Sequence, residues 1–115
     1  MERIDFKPLG TVVGITGTDK KFMIVARAIS IKLNGGEKSF FDYGGVIYPE
    51  GLIGNNIVYF QDNDISDVVF EGYADSRNQD YVDRLWSRLS SENMKHADVK
   101  KLQEENYRRN TRSDR

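Results

Sequence analysis

The run Asp62-Asn63-Asp64-Ile65-Ser66-Asp67 opens like a calcium-binding loop, in which oxygens at alternate positions converge on one cation. That chemistry needs glycine at the sixth position and a bidentate glutamate at the twelfth, where this chain has Asp67 and Tyr73. The run reads instead as a turn whose carboxylates bond nearby backbone N–H groups. Gly14-Ile15-Thr16-Gly17-Thr18-Asp19-Lys20-Lys21 has the glycines and lysines of a phosphate cradle, but not their order, and Asp19 would face the phosphates. It too reads as a turn. His96 is the single histidine and cysteine is absent, which excludes a zinc or copper cluster. His96 lies in a polar stretch and is expected to be solvated. A serine triad would have to recruit it, and no G-x-S-x-G elbow is present. Among the 18 acids no pair stands out for glycoside hydrolysis, and 115 residues leave little wall for a deep cleft. The expectation is a protein without catalytic residues, metal or cofactor.

Recognition chemistry is the alternative. The aromatics Phe40, Phe41, Tyr43, Tyr48, Tyr59 and Phe60 are interleaved with Asp42, Glu50, Asp62 and Asp64 rather than with cations, so phosphates would be repelled there. Tyrosine suits protein interfaces, with its large apolar face and polar tip. Residues 43–54 carry few charges and many glycines. Within them Tyr43, Tyr48, Pro49, Leu52 and Ile53 either close the core or form a docking patch. Trp86 is the further candidate contact.

These residues need elements to position them. All ten glycines fall between Gly10 and Gly72, separating short apolar runs as turns separate strands. Strands are expected at 11–15, 22–29, 38–48, 57–60 and 68–73. Asn34-Gly35 signals a hairpin, Gly44-Gly45 a bulge or sharp bend, and 62–67 one helical turn. Beyond Ala74 the pattern changes. Ser76-Arg77-Asn78-Gln79 matches a capping box, and Tyr81, Val82, Leu85, Trp86 and Leu89 fall on one helical face. The fold expected is α+β: a small curled antiparallel sheet or SH3-like barrel of about five strands, then one amphipathic helix. Residues 8–90 form the domain, and 91–115 a polar helical extension and disordered basic tail.

Charge divides at the same place. Residues 1–74 carry seven basic and ten acidic side chains, and residues 75–115 ten and eight. The formal net charge of −1 supplies no field toward nucleic acid or anionic lipid. No apolar run approaches the roughly 20 residues of a membrane span, and the N-terminus lacks a signal-peptide core. A cytoplasmic location is expected.

Three blocks carry a resemblance. The first is Pro8-Leu9-Gly10-Thr11-Val12-Val13 with Lys20-Lys21-Phe22-Met23-Ile24-Val25-Ala26-Arg27. The second is Phe41-Asp42-Tyr43-Gly44-Gly45-Val46-Ile47-Tyr48-Pro49-Glu50-Gly51 with Gly54. The third is Tyr59-Phe60, Asp64-Ile65 and Val68-Val69-Phe70-Glu71-Gly72-Tyr73. Together they resemble the family catalogued as domain of unknown function 4176, from Pro8 to about Tyr81. Members are small proteins of Gram-positive bacteria, often encoded beside type VII secretion genes and LXG-type toxins. The resemblance implies an accessory role, as cytoplasmic chaperone or targeting factor for a secreted LXG-type effector, and it implies no catalytic residues. An immunity protein that neutralises a toxin domain and a small-barrel nucleic-acid binder are the alternatives.

Overall fold

The computed structural model describes residues 3–97 apart from 33–35 and 37. The elements are β1 Val12–Ile15, β2 Lys21–Lys32, β3 Lys38–Tyr48, β4 Val58–Phe60, a 3-10 turn Asp62–Asp64, β5 Ile65–Phe70, α1 Ser76–Ser91 and β6 Lys95–His96. This is the α+β order expected. β5 begins three residues earlier than its apolar run, because Ile65 both ends the 3-10 turn and pairs with Ile15 of β1. The hairpin of β2 and β3 stays paired down to Lys32 and Lys38.

The sheet runs β4-β3-β2-β1-β5 with antiparallel neighbours, and β6 joins β3 in parallel. The outer strands β4 and β5 are consecutive in the chain, separated by Gln61 and the 3-10 turn. A flat sheet would hold them about 19 Å apart, at ~4.8 Å per step. A connection whose turn rises about 2 Å per residue cannot reach that far. The sheet therefore curls. Among the described residues no ladder joins β4 to β5, so it is a curled open sheet and not a closed SH3-like barrel.

Curling needs a bend, and Gly44-Gly45 supplies it. Ile24 pairs with Gly45 and Ala26 with Gly44, which leaves Val25 as an extra residue on β2. A Cβ on Gly45 would lie 3.1 Å from the Met23 carbonyl oxygen, and one on Gly44 3.2 Å from Ile57 Cγ2. Side chains at these positions would push apart the strands that the bend draws together.

Helix α1 lies on the sheet and buries Val82 and Leu89 against Val13, Ile24, Phe40, Tyr43 and Phe60, with Leu85 and Trp86 at the margin. Of the apolar face read from the sequence, Val82, Leu85, Trp86 and Leu89 pack, whereas Tyr81 stays half exposed with Arg27 over its ring. Its cap lies one residue earlier than expected. Asp75, not Ser76, is the N-cap, and its carboxylate accepts from the backbone N–H of Arg77 and Asn78. A carboxylate there also meets the positive end of the helix dipole, which a serine hydroxyl does not match.

The folded body exceeds the expected 8–90 at both ends. Phe6 is buried with its ring edge on Tyr43, and Met94 and Ala97 are buried beyond the helix. Asn93 takes the left-handed conformation that stops α1, and the chain turns back so that the Ala97 N–H reaches the Phe40 carbonyl at 2.8 Å. In place of the expected helical extension, α1 ends at Ser91 and the chain turns through Glu92 and Asn93 into β6 at Lys95–His96. The tail expected over 98–115 lies outside the described residues.

Gly72 is the backbone's closest approach. Its N–H donates to the Thr11 hydroxyl at 3.0 Å, and a Cβ there would sit 2.8 Å from the Thr11 nitrogen, against the Leu9 carbonyl. Backbone atoms cannot swing aside as a side chain can. Gly72→Ala is expected to destabilise the fold by about 1–3 kcal/mol. A urea midpoint unchanged from that of the parent chain would refute this contact.

Candidate functional site

The densest polar constellation surrounds a carboxylate in the aromatic run of β3. Asp42 is only 2% exposed. A carboxylate in such a place needs donors. One oxygen accepts the Asp62 backbone N–H at 2.7 Å and the other lies 2.8 Å from His96 Nε2. The imidazole also lies on the Phe40 ring at 4.5 Å between centroids. Gln61 completes the clasp, its oxygen accepting the Asp42 N–H at 2.9 Å and its nitrogen donating to the Ala97 carbonyl at 3.1 Å. Three chain segments, β3, the 3-10 turn and β6, are thereby tied together.

A second set adjoins it through Asp62. Its Oδ1 accepts from Lys7 Nζ at 2.8 Å and from the Tyr43 hydroxyl at 3.0 Å, while that hydroxyl accepts the Lys7 backbone N–H at 3.0 Å. The N-terminal segment is pinned to β3 in this way. Burial is the main reason that the Tyr43 hydroxyl is pushed well above the usual phenol range. Burial likewise raises the Asp42 carboxyl above its ordinary value, against the Asp62 N–H and His96, which favour the charged form. On β2, Arg27 donates to Asn78 Oδ1 at 2.6 Å and lies over the Tyr81 ring at 5.4 Å, which fastens α1 to the sheet.

A groove of about 660 Å³ opens over Asp42, Gln61, Asp62, Asp64 and His96. Asp42, Gln61, Asp64 and His96 are engaged within the clasp, and Asp62 with Lys7 and Tyr43. Among the described residues no set of three His, Asp or Glu side chains is placed to hold a metal. The arrangement works as a clasp between segments, in which the hydrogen bond of His96 Nε2 goes to Asp42. His96 itself was expected to be solvated. The structure pairs it, because β6 brings it against β3, and nothing in its local sequence signals that return. The isolated Asp42 within Phe40-Phe41-Asp42-Tyr43 was the available signal, since a charge in an apolar strand requires a partner.

The expected contact residues separate. Tyr43 is fully buried between Phe6 and Phe60 and is a core residue, not a surface one, since its hydroxyl has two partners that let the ring go inside. Trp86 is partly buried against the core. Tyr48, Leu52 and Ile53 are 56%, 59% and 53% exposed, and Pro49 is exposed with them. Ile53 borders an apolar groove of about 490 Å³ with Phe22, Ile47, Ile57 and Val58. Tyr48 and Pro49 line a neighbouring depression, and Lys20, Ile47 and Glu50 are shared by the two.

The model of the family described as Domain of unknown function (DUF4176) matches residues 6–81. The chain belongs to that family. The DUF4176 match begins at Phe6, the first buried side chain of the fold, and ends within α1, so the Asp42 clasp lies inside it except for β6. No curated protein and no solved structure matches the chain. No helix among the described residues is long and apolar enough to cross a membrane.

Two outcomes check the clasp. His96→Ala leaves one oxygen of Asp42 without its partner, which is expected to cost about 1–3 kcal/mol. It should also speed hydrogen exchange at the Ala97 amide, and unchanged exchange there would dissociate His96 from β6. The raised Asp42 pKa sets a sign. The native state holds that proton more tightly than the unfolded chain, so this group's contribution is full below about pH 4 and falls as pH rises through the raised value. Asp42→Asn should flatten that fall in urea midpoints measured across the acid range, and an unaltered slope would assign it to other groups.

Proposed function

We propose that this DUF4176 protein is a non-enzymatic accessory protein of the cytoplasm that recognises another protein. The partner in this reading is a secreted LXG-type effector of type VII secretion, for which the protein serves as chaperone or targeting factor. The observation that supports it is the loop after β3, where Tyr48, Leu52 and Ile53 hold apolar surface in water beside an apolar groove. Covering such surface is worth about 25 cal/mol per Å². Tyrosine at its border suits recognition, since one ring serves both apolar contact and hydrogen bonding. The buried Asp42 carboxylate and its partners are meanwhile engaged in holding the fold's own segments together, which favours recognition over turnover.

Co-expression of the full chain with an LXG-type effector should give a complex that survives size-exclusion chromatography. The double substitution Leu52→Ser and Ile53→Ser changes exposed side chains, so the chain should fold as before and bind at least about tenfold more weakly. A chain that elutes alone beside every such effector would sink the proposal. So would a double variant that binds like the parent.

A further inference from the structure

β5 has one neighbour, β1, and among the described residues nothing pairs with its outer edge. The opposite border of the sheet is treated differently. There β4 is three residues long, and β6 lies along the part of β3 that β4 leaves open. β5 runs for six residues, and Val68, Val69 and Phe70 are 48%, 48% and 62% exposed. An open edge carries unpaired N–H and C=O groups, so the chemistry that fits it is another extended backbone.

The charges restrict which backbone that is. Asp67 and Glu71 are exposed on either side of the apolar residues, and the chain has no Lys or Arg between Lys38 and Arg77. A second copy pairing antiparallel through β5 would bring two Asp67 and two Glu71 together, and like charges across a ladder are destabilising. A strand with cations at its ends meets the same acids favourably. The extra residues Ser66 and Val69 bulge β5, which twists the edge and limits the added strand to a short one. Bulges and acids together discourage indiscriminate pairing and leave a complementary partner admissible.

We propose that the outer edge of β5 receives a short extended segment of another protein, apolar in the middle and flanked by lysine or arginine. This surface is separate from the loop after β3, and its test involves no effector, so failure of either leaves the other standing.

The probes are two synthetic peptides of equal length, each alternating valine and threonine, one with lysines at both ends and one with glutamates. They are added to the full chain, and amide exchange and chemical shifts are followed by NMR. The lysine-ended peptide should slow exchange and shift resonances over Ile65–Phe70, and bind at least about tenfold more tightly than the glutamate-ended one. The double substitution Asp67→Lys and Glu71→Lys, at exposed positions, should reverse that preference. Equal binding of both peptides, perturbations centred elsewhere, or no binding would overturn the proposal. Dimerisation of the free chain through β5 would overturn it in favour of a second copy, and protection of β5 by residues 98–115 would assign the edge to the chain itself.

Discussion

A carboxylate buried in an aromatic strand is tolerable only where donors meet it, and the donors of Asp42 come from segments distant in sequence. The Asp62 N–H belongs to the 3-10 turn and the imidazole of His96 to the last strand, with Gln61 bridging the Asp42 N–H and the Ala97 carbonyl. Leaving such a group unpaired costs more than an ordinary hydrogen bond contributes, so the clasp specifies where its three segments lie. It also sits where the chain leaves β4 for the opposite border of the sheet. The polar network and the curl of the sheet are in that sense one constraint. The turn that connects the borders is held by the carboxylate it passes.

The remaining packing follows from the curl. Gly44 and Gly45 let β3 bend against β2 and β4, and the extra residue at Val25 takes up the difference in path. The concavity receives the apolar face of α1, with Arg27 fastening the helix through Asn78 and Tyr81. At the other border Gly72 lets the chain leaving β5 pass against Leu9, Gly10 and Thr11 before the helix begins. The Phe-Glu-Gly-Tyr block of the DUF4176 resemblance thus has a steric reason for its glycine.

Two surfaces are left over once the interior is satisfied, and they differ in kind. The loop after β3 offers side chains, Tyr48, Leu52 and Ile53, beside an apolar groove. The β5 border offers backbone, framed by acids. The first suits a partner that brings its own apolar side chains, and the second a partner that arrives extended. Asp42 is the one charged side chain that the described fold buries, and both of these surfaces lie away from it.

Local physics was legible in the residues alone. Glycine punctuation and β-branched runs marked the strands, the spacing of Val82, Leu85, Trp86 and Leu89 marked the packed face of α1, and Gly44-Gly45 marked the bend. These depend on neighbours within a few positions, where side-chain period and backbone freedom dominate. What depended on distant contacts was not legible. The sequence leaves Tyr43 open between core and docking patch, and Lys7 and Asp62 decide it for the core by satisfying its hydroxyl; His96 reads as solvated, and β6 returns it to Asp42. Phe6, Met94 and Ala97 carried no periodic signal to join them to the body. Burial of a polar group is decided by whether a partner arrives, and that partner comes from the tertiary fold rather than from the group's own neighbours in the chain.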